Sequence, residues 1–300
     1  MAINRAYITK QLLPGLNAVL GLNYKEVPEE HKALFDVETS ERSFEEEVMM
    51  TDFETAPYKA EGEAVQYFTA SEAWTARYTH RTLAMAYAIT EEAMEDNLYD
   101  SFTKIRTKAM GRSMGNSVQT AAADIFNRAF NSSYLGGDGT ELCGTHTLAD
   151  GSTIINNVST DLSEAALETA VVAIAGWTND KGILIAAEPV SLHIPRNSMF
   201  IAKRILGNPD RPATADRDIN ALYSMNYLRK GGAVNHRFTD TNAWFIRTDV
   251  PDGTKMFVRK GLEAKMEGDF DTGNMRYKAR QRFSFGWSNF RAVYGSAGSS

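Results

Sequence analysis

Residues 90–130 read TEEAMEDNLYDSFTKIRTKAMGRSMGNSVQTAAADIFNRAF, and this stretch sets the scale of the whole chain. Thr90 is a good helix N-cap, and Glu91 and Glu92 fall in the first turn, where the helix dipole favours acids. Met94, Leu98, Phe102, Ile105 and Ala109, and then Met114, Val118, Ala122, Ile125 and Ala129, recur at helical spacing and predict one buried stripe. A helix continuous over 90–130 is about 60 Å long, several times the usual globular length. Gly111 and Gly115 are points where it can kink or admit another backbone.

Upstream, the pattern is extended. Val48 and Met50 alternate with Glu47 and Met49, and Tyr78, His80 and Thr82 alternate with Arg77, Thr79 and Arg81. Between them lies TAPYKAEGEA, polar and carrying Pro57 and Gly62. This predicts a long two-stranded ribbon with strands near 44–51 and 75–88, which needs a neighbour to pack on. Downstream, GGDGT at 136–140 ends the long helix. A second helix is expected after Asp161, capped by its carboxylate with Glu164 completing a capping box, and with a stripe of Leu167, Ala170, Val171 and Ile174. Val190, Leu192 and Ile194 share a strand face, and a short helix follows over 198–206. From Tyr223 the chain reads as strands: YSMNYL, AWFIRT, KMFVRK, LEAKME and finally MRYKARQRFSFGW. In the last, Arg276, Lys278, Arg280 and Arg282 share one face, with Tyr277, Ala279, Phe283 and Phe285 largely on the other. The class is α+β, without the alternating βαβ order of a doubly wound sheet.

The 300 residues carry 32 Lys and Arg against 38 Asp and Glu, and 43% are hydrophobic. That composition excludes a disordered, collagenous or low-complexity chain, and the net charge of −6 argues against gripping nucleic acid over the whole surface. One cysteine, Cys143, cannot form an internal disulfide, and no secretory or membrane-spanning segment is read, so a soluble protein of a reducing cytoplasm is expected. Charge is uneven: residues 25–63 hold thirteen acids and four bases, whereas 276–291 hold five bases and no acid. These are either two solvated faces or an acidic arm of one subunit meeting a basic strand of another.

A search for chemistry returns little. His31, His80, His146, His193 and His236 lack metal-ligand spacing, and Cys143 with His146 makes only half of a zinc site. Asp269, Asp271 and Gly273 fail the spacing of a calcium loop. No nucleophile elbow, phosphate loop or dinucleotide fingerprint is present. The reading is of no catalytic residue, no metal and no cofactor, with Trp74, Trp177, Trp244 and Trp287 anchoring cores or subunit contacts.

The order of elements resembles the major capsid proteins of tailed bacteriophages, with the Hong-Kong-97-type fold. The stretches that carry the likeness are GILIAAEPVSLHIPRNSMFIAKRIL, FTDTNAWFIRTD and DTGNMRYKARQRFSFGWSNFRAVYGS, while YTHRTLAMAYAITEEAMEDNLYD is similar to the same junction in Mu-like head subunits. The resemblance implies an N-terminal arm (1–43), an extended β-hairpin or E-loop (44–88), a P-domain with its spine helix (89–160), an A-domain (161–262) and a return to the P-domain (263–300). It implies a non-enzymatic subunit that forms hexamers and pentamers of an icosahedral head around double-stranded DNA, without sequence-specific binding to it or a membrane. The virion is then its place, with assembly in the host cytoplasm and separate scaffold, portal and decoration proteins as partners. The expected inter-subunit contacts are Glu45, Glu46 and Glu47 against Arg280 and Arg282, together with Tyr58 and Lys59 of the hairpin. Some members crosslink a hairpin Lys to a neighbour's Asn, but no distinctive motif surrounds Lys59 or Asn274, so no crosslink is read. The rivals are a nanocompartment shell of the same fold, enclosing enzymes instead of a genome, and an enzyme with an unrecognised site. A deep pocket with converging titratable groups would favour the enzyme.

Overall fold

A computed structural model describes residues 5–90, 92, 99–210, 219–228, 230–269 and 273–299, with side chains placed outside 5–12 and 99–102. Its long element is helix α3, Tyr99–Asn127. Helix α1 (Arg5–Lys25) lies along it, and a short turn α2 (His31–Leu34) follows α1. The close approach depends on the two glycines of α3. A Cβ on Gly111 would stand 2.8 Å from the Leu20 carbonyl oxygen, and one on Gly115 would stand 3.0 Å from Val27 Cγ2.

The expected stripe on α3 holds in its second half, where Met114, Val118 and Ala122 are buried, and Ala129 just past its end is buried too. Earlier it is displaced. Ile105 is 64% exposed, and Thr103, Thr107 and Met110 face inward instead. Thr107 is accommodated because its hydroxyl donates to the Thr103 carbonyl (2.8 Å) and accepts from Tyr87 Oη (2.7 Å), so a polar residue can occupy the buried face. Met94, Leu98 and the Phe102 side chain lie outside the described residues.

Helices α1 and α3 cover one face of a four-stranded sheet in the order β1-β11-β12-β4. Its strands are β1 (Asp36–Thr39), β4 (Arg81–Ile89), β11 (Thr254–Gly268) and β12 (Met275–Trp287). KMFVRK and LEAKME, expected as separate strands, are one strand carried across bulges near Lys260. Along β12, Met275, Tyr277, Ala279 and Gln281 are buried while Arg276, Lys278 and Arg280 are exposed, as the alternation requires. Leu16, Leu20, Met110, Met114, Tyr277 and Ala279 form the core between helices and sheet.

The expected ribbon over 44–51 and 75–88 is divided. Strand β2 (Phe44–Met50) pairs with β3 (Glu72–Thr79), whereas β4, beyond His80, pairs with β12 in the other sheet. The alternation also changes phase at His80: Ala76, Tyr78 and His80 are buried, whereas beyond it Leu83 and Tyr87 are half-buried and Ile89 is buried, with Arg81 and Thr82 both exposed, and the strand changes partner at the same point.

A second sheet, five-stranded, is ordered β7-β13-β10-β8-β9. Here β7 is Asn157–Val158, β8 Pro189–Pro195, β9 Gly232–Asn235, β10 Trp244–Thr248 and β13 Val293–Ser296. A small hairpin of β5 (Thr145–Thr147) and β6 (Thr153–Ile155) precedes it. Helix α4 (Glu164–Ala175) packs Leu167, Ala170, Val171 and Ile174 into a core with Leu192, Trp244 and Ile246. Its cap is Ser163, which accepts from the Ala166 N–H at 3.2 Å, and not Asp161. The Asp161 carboxylate instead accepts from Ser299 N–H and Oγ at 2.9 and 2.7 Å, holding the C-terminal segment. Helix α5 (Met199–Leu206) follows β8. The expected strand YSMNYL begins with the end of a helical turn, α6 (Ala221–Ser224), because buried Asn220 caps it by accepting from Tyr223 N–H at 3.2 Å. Asn226 and Leu228 then take positive φ and end any extended run.

Candidate assembly surface

The hairpin β2–β3 projects the segment 51–71, which has no strand or helix. Phe53 is 59% exposed, Val65 65%, and Tyr58 and Tyr67 are essentially fully exposed. Aromatic side chains placed in water at one end of a molecule mark a surface meant for burial against something else. Asp52, Glu54, Glu61 and Glu63 give this segment four acids to the one base, Lys59.

At its base the hairpin is pinned to the subunit. Glu45 accepts from Ser40 Oγ (2.6 Å), and Glu46 faces Arg77 across the strand pair at 3.7 Å. Glu47 takes the Lys255 ammonium at 2.5 Å and accepts from Ser288 Oγ. Arg77 lies over the Phe44 ring, 4.0 Å from its centroid. Arg280 pairs with Glu263 of the neighbouring strand at 3.2 Å, and Arg282 stands half-buried opposite Thr82. Within one chain, then, the three glutamates meet their own subunit and not Arg280 or Arg282. Tyr58 and Lys59 stand in solvent on the loop.

His80, at the change of sheet, is buried with its Nε2 at 2.9 Å from Ser40 Oγ and Nδ1 at 3.0 Å from Ser284 Oγ. Burial, helped by the Arg282 charge, holds its pKa below the usual histidine range. Because Ser40 donates to Glu45, it accepts from Nε2–H, which leaves Nδ1 to accept from Ser284. No motif in the sequence distinguishes Ser40, Ser284 or Ser288, and Lys255 reads there as one more surface base.

A hollow of about 380 Å³ lies beside the hairpin base, lined by Arg77, Tyr78, Arg128, Tyr134, Gly136 and Trp287 among others. Its charged lining groups are Arg77 and Arg128, and a second hollow, of about 490 Å³, is lined by Asp52, Asp180, Asp249, Asp252 and Arg291 among others. The two loop residues read as half of a zinc site are both engaged in the interior. Cys143 is buried, which raises its thiol pKa, and His146 pairs with Asp138 at 2.5 Å while stacking on Phe290 at 3.7 Å. Among the described residues no three His, Cys, Asp or Glu are grouped to hold a metal, and no described helix is long and apolar enough to cross a membrane.

The fold is shared with solved shells. The chain is similar to the virus-like particle from Pyrococcus furiosus (11% identity, 94% of this chain and 98% of that one, TM-score 0.55). It is also similar to the capsid of the native GTA particle (14% identity, 91% and 92%, TM-score 0.58) and to Microbacterium phage Oxtober96 (9%, 90% and 90%, TM-score 0.51). At such identities the likeness speaks for the fold, which is of the Hong-Kong-97 type. No curated protein matches the sequence. The model of the family described as phage capsid protein matches residues 74–296, which takes in most of β3, the long helix, the five-stranded sheet and every strand of the four-stranded sheet but β1, and the chain therefore belongs to that family as a structural protein of a phage capsid.

Proposed function

We propose that this chain is the major subunit of an icosahedral head, assembling with copies of itself into hexamers and pentamers around packaged double-stranded DNA. The observation that carries this is the hairpin loop, with Phe53, Tyr58, Val65 and Tyr67 exposed and no core of its own subunit beneath them. Overlapping tiles bury such a projection, and obligate interfaces commonly exceed ~2,000 Å². In this reading residues 1–43 act as the arm, 44–88 as the E-loop, 89–160 and 263–300 as the P-domain, and 161–262 as the A-domain. Assembly takes place in the host cytoplasm with separate scaffold, portal and decoration proteins.

The charge pattern supports contact between copies. Glu45, Glu46 and Glu47 are engaged with their own subunit, so Glu61 and Glu63 of the loop carry the acidic side of the contact. Lys278 and Arg282 carry the basic side, with Arg280, which its own subunit's Glu263 holds at 3.2 Å, between them. The test is electron microscopy and sedimentation velocity of the protein, expressed alone and with neighbouring candidate scaffold genes. Closed shells or rings are expected. Tyr58→Ser with Tyr67→Ser is expected to lower shell yield at least tenfold while leaving the thermal unfolding of the subunit unchanged. Shells at normal yield from that double variant would refute the loop's role.

A further inference from the structure

The hairpin is fastened to its subunit in an unusual way. Strands β2 and β3 make a two-stranded sheet of their own, so no sheet ladder fixes them to the four-stranded sheet. Their apolar attachment is narrow: Ala76 and Tyr78 against Phe257 of β11, and Trp74 tilted on Phe290 at 6.0 Å. Apolar contacts of that extent do not define a direction, because dispersion and hydrophobic burial are non-directional.

What defines it is polar: beyond the ties of Ser40 to Glu45 and His80 at the end of the strands, a network along them converges on two residues of the body. Lys255 of β11 reaches Glu47 of β2 at 2.5 Å, Asp252 of the preceding turn at 2.8 Å and Glu38 of β1 at 3.3 Å. Its side chain is only 8% exposed. Burial works against the ammonium charge, but hydrogen bonds to Asp252 and Glu47 outweigh it and hold the pKa above the usual lysine range. The second oxygen of Glu47 accepts from Ser288 Oγ, which in turn accepts from Tyr78 Oη (2.6 Å), while Trp74 Nε1–H donates to the Ser288 carbonyl (2.8 Å). One network therefore spans β1, both strands of the hairpin, β11 and the end of β12. Gly286 lets the Tyr78 ring lie against the β12 backbone, since a Cβ there would stand 2.8 Å from Tyr78 Cε1.

We infer that Lys255 is a positioning residue that sets the angle at which the hairpin leaves the subunit, and through it the geometry with which copies tile. Its consequence for tiling rests on the shell reading; the clamp itself does not. Charge-assisted hydrogen bonds are short and directional, so three carboxylates from three elements fix one ammonium in a way that packing alone cannot. Removing the ammonium leaves Glu47 with only the Ser288 hydroxyl and frees the hairpin to swing about His80.

The experiment is hydrogen–deuterium exchange on dissociated subunits of the wild type, Lys255→Met, Glu47→Gln and Lys255→Arg. In Lys255→Met and Glu47→Gln, amides of β2 and β3 are expected to exchange at least tenfold faster, with β8 and β10 unchanged; Lys255→Arg is expected to retain most of the protection. Glu47→Gln decides the matter if Lys255→Met does not fold, because it keeps a hydrogen-bonding side chain in place. Unchanged exchange in the hairpin, or acceleration spread equally over β8 and β10, overturns the proposal. Electron micrographs of assembled variants are expected to show a broader spread of particle diameter or open sheets, and wild-type diameters from a variant with a mobile hairpin would overturn the link to tiling. Wild-type subunits that never assemble would refute the shell reading while the exchange result on the clamp still stands.

Discussion

Replacing Asn156 by alanine should cost the subunit a large part of its stability. Asn156 lies between β6 and β7 and is completely buried. Its Oδ1 accepts from Gly144 N–H at 2.8 Å, and its Nδ2 hydrogens are shared among the carbonyls of Leu142 (2.8 Å), Val293 (2.9 Å) and Phe290 (3.2 Å). One amide therefore joins the loop after α3, the turn before β13 and β13 itself. Alanine orphans a buried N–H, costing ~1–3 kcal/mol, and weakens three carbonyl contacts worth ~0.5–1.5 kcal/mol each before the carbonyls find other donors. Because those oxygens keep a second lone pair and adjust in part, the working figure is ~3–5 kcal/mol, against a total of ~5–15 kcal/mol for a typical fold. Urea unfolding followed by tryptophan fluorescence reads this directly, through Trp177 and Trp244 in the adjoining core. The midpoint should fall with little change in slope. Asn156→Asp is a sharper control, since it keeps an acceptor for Gly144 but turns a carboxylate oxygen toward three carbonyls. It should be worse than alanine. A loss below ~1 kcal/mol for alanine, or an aspartate variant as stable as alanine, would refute the reasoning.

Two further outcomes follow from other parts of the molecule. Gly111→Ala should gain ~1 kcal/mol of helix propensity, yet the new methyl would sit 2.8 Å from the Leu20 carbonyl, so a net loss of ~1–3 kcal/mol with faster exchange in α1 is expected, and a net gain would show that α1 does not pack there. Burial, with the Arg247 and Lys230 charges beside it, pushes the His193 pKa down to about 3, against ~6.5 in an unfolded chain. The unfolded chain therefore binds the proton more readily: the stabilisation is complete above ~pH 6.5 and is lost as pH falls toward the folded value, by ~2 kcal/mol at pH 5. Urea midpoints at pH 7 and 5 should differ less in His193→Asn, and an unchanged difference would refute the assignment.

How much of this was legible depends on what periodicity records. Helix α4 and its stripe, β8 and the alternation of β12 could be read, because each follows the period of its own backbone. The change of partner at His80 could not: the inward positions shift from even to odd there, but a strand's alternation does not record which neighbour it pairs with. The inward turn of Thr103 and Thr107 was hidden for a different reason. Their hydroxyls are satisfied by a main-chain carbonyl and by Tyr87, a partner that only tertiary structure supplies. Helix α1 escaped notice because Pro14 interrupts it and its burial depends on glycines in α3. The basic row on β12 and the acidic hairpin segment were visible as charge runs. That Glu47 of β2 turns toward Lys255 and Ser288 was not, since those partners are some two hundred residues away in sequence.

The arrangement of the four-stranded sheet also governs when the molecule can exist at all. Strand β1 lies beside β11 and β4 beside β12, so Val37 is in register with Met256, and Ala84 with Arg280. At ~5–20 residues per second, a ribosome needs on the order of ten seconds or more to make the chain between those partners. Throughout that time the first third of the protein has no sheet to join, and its hairpin no Lys255 to hold it. Non-local pairing of this kind also closes slowly. A chain cut short during synthesis thus lacks both the strand that completes the sheet and the lysine that Glu47 meets, which makes completion of translation a condition for forming the folded subunit.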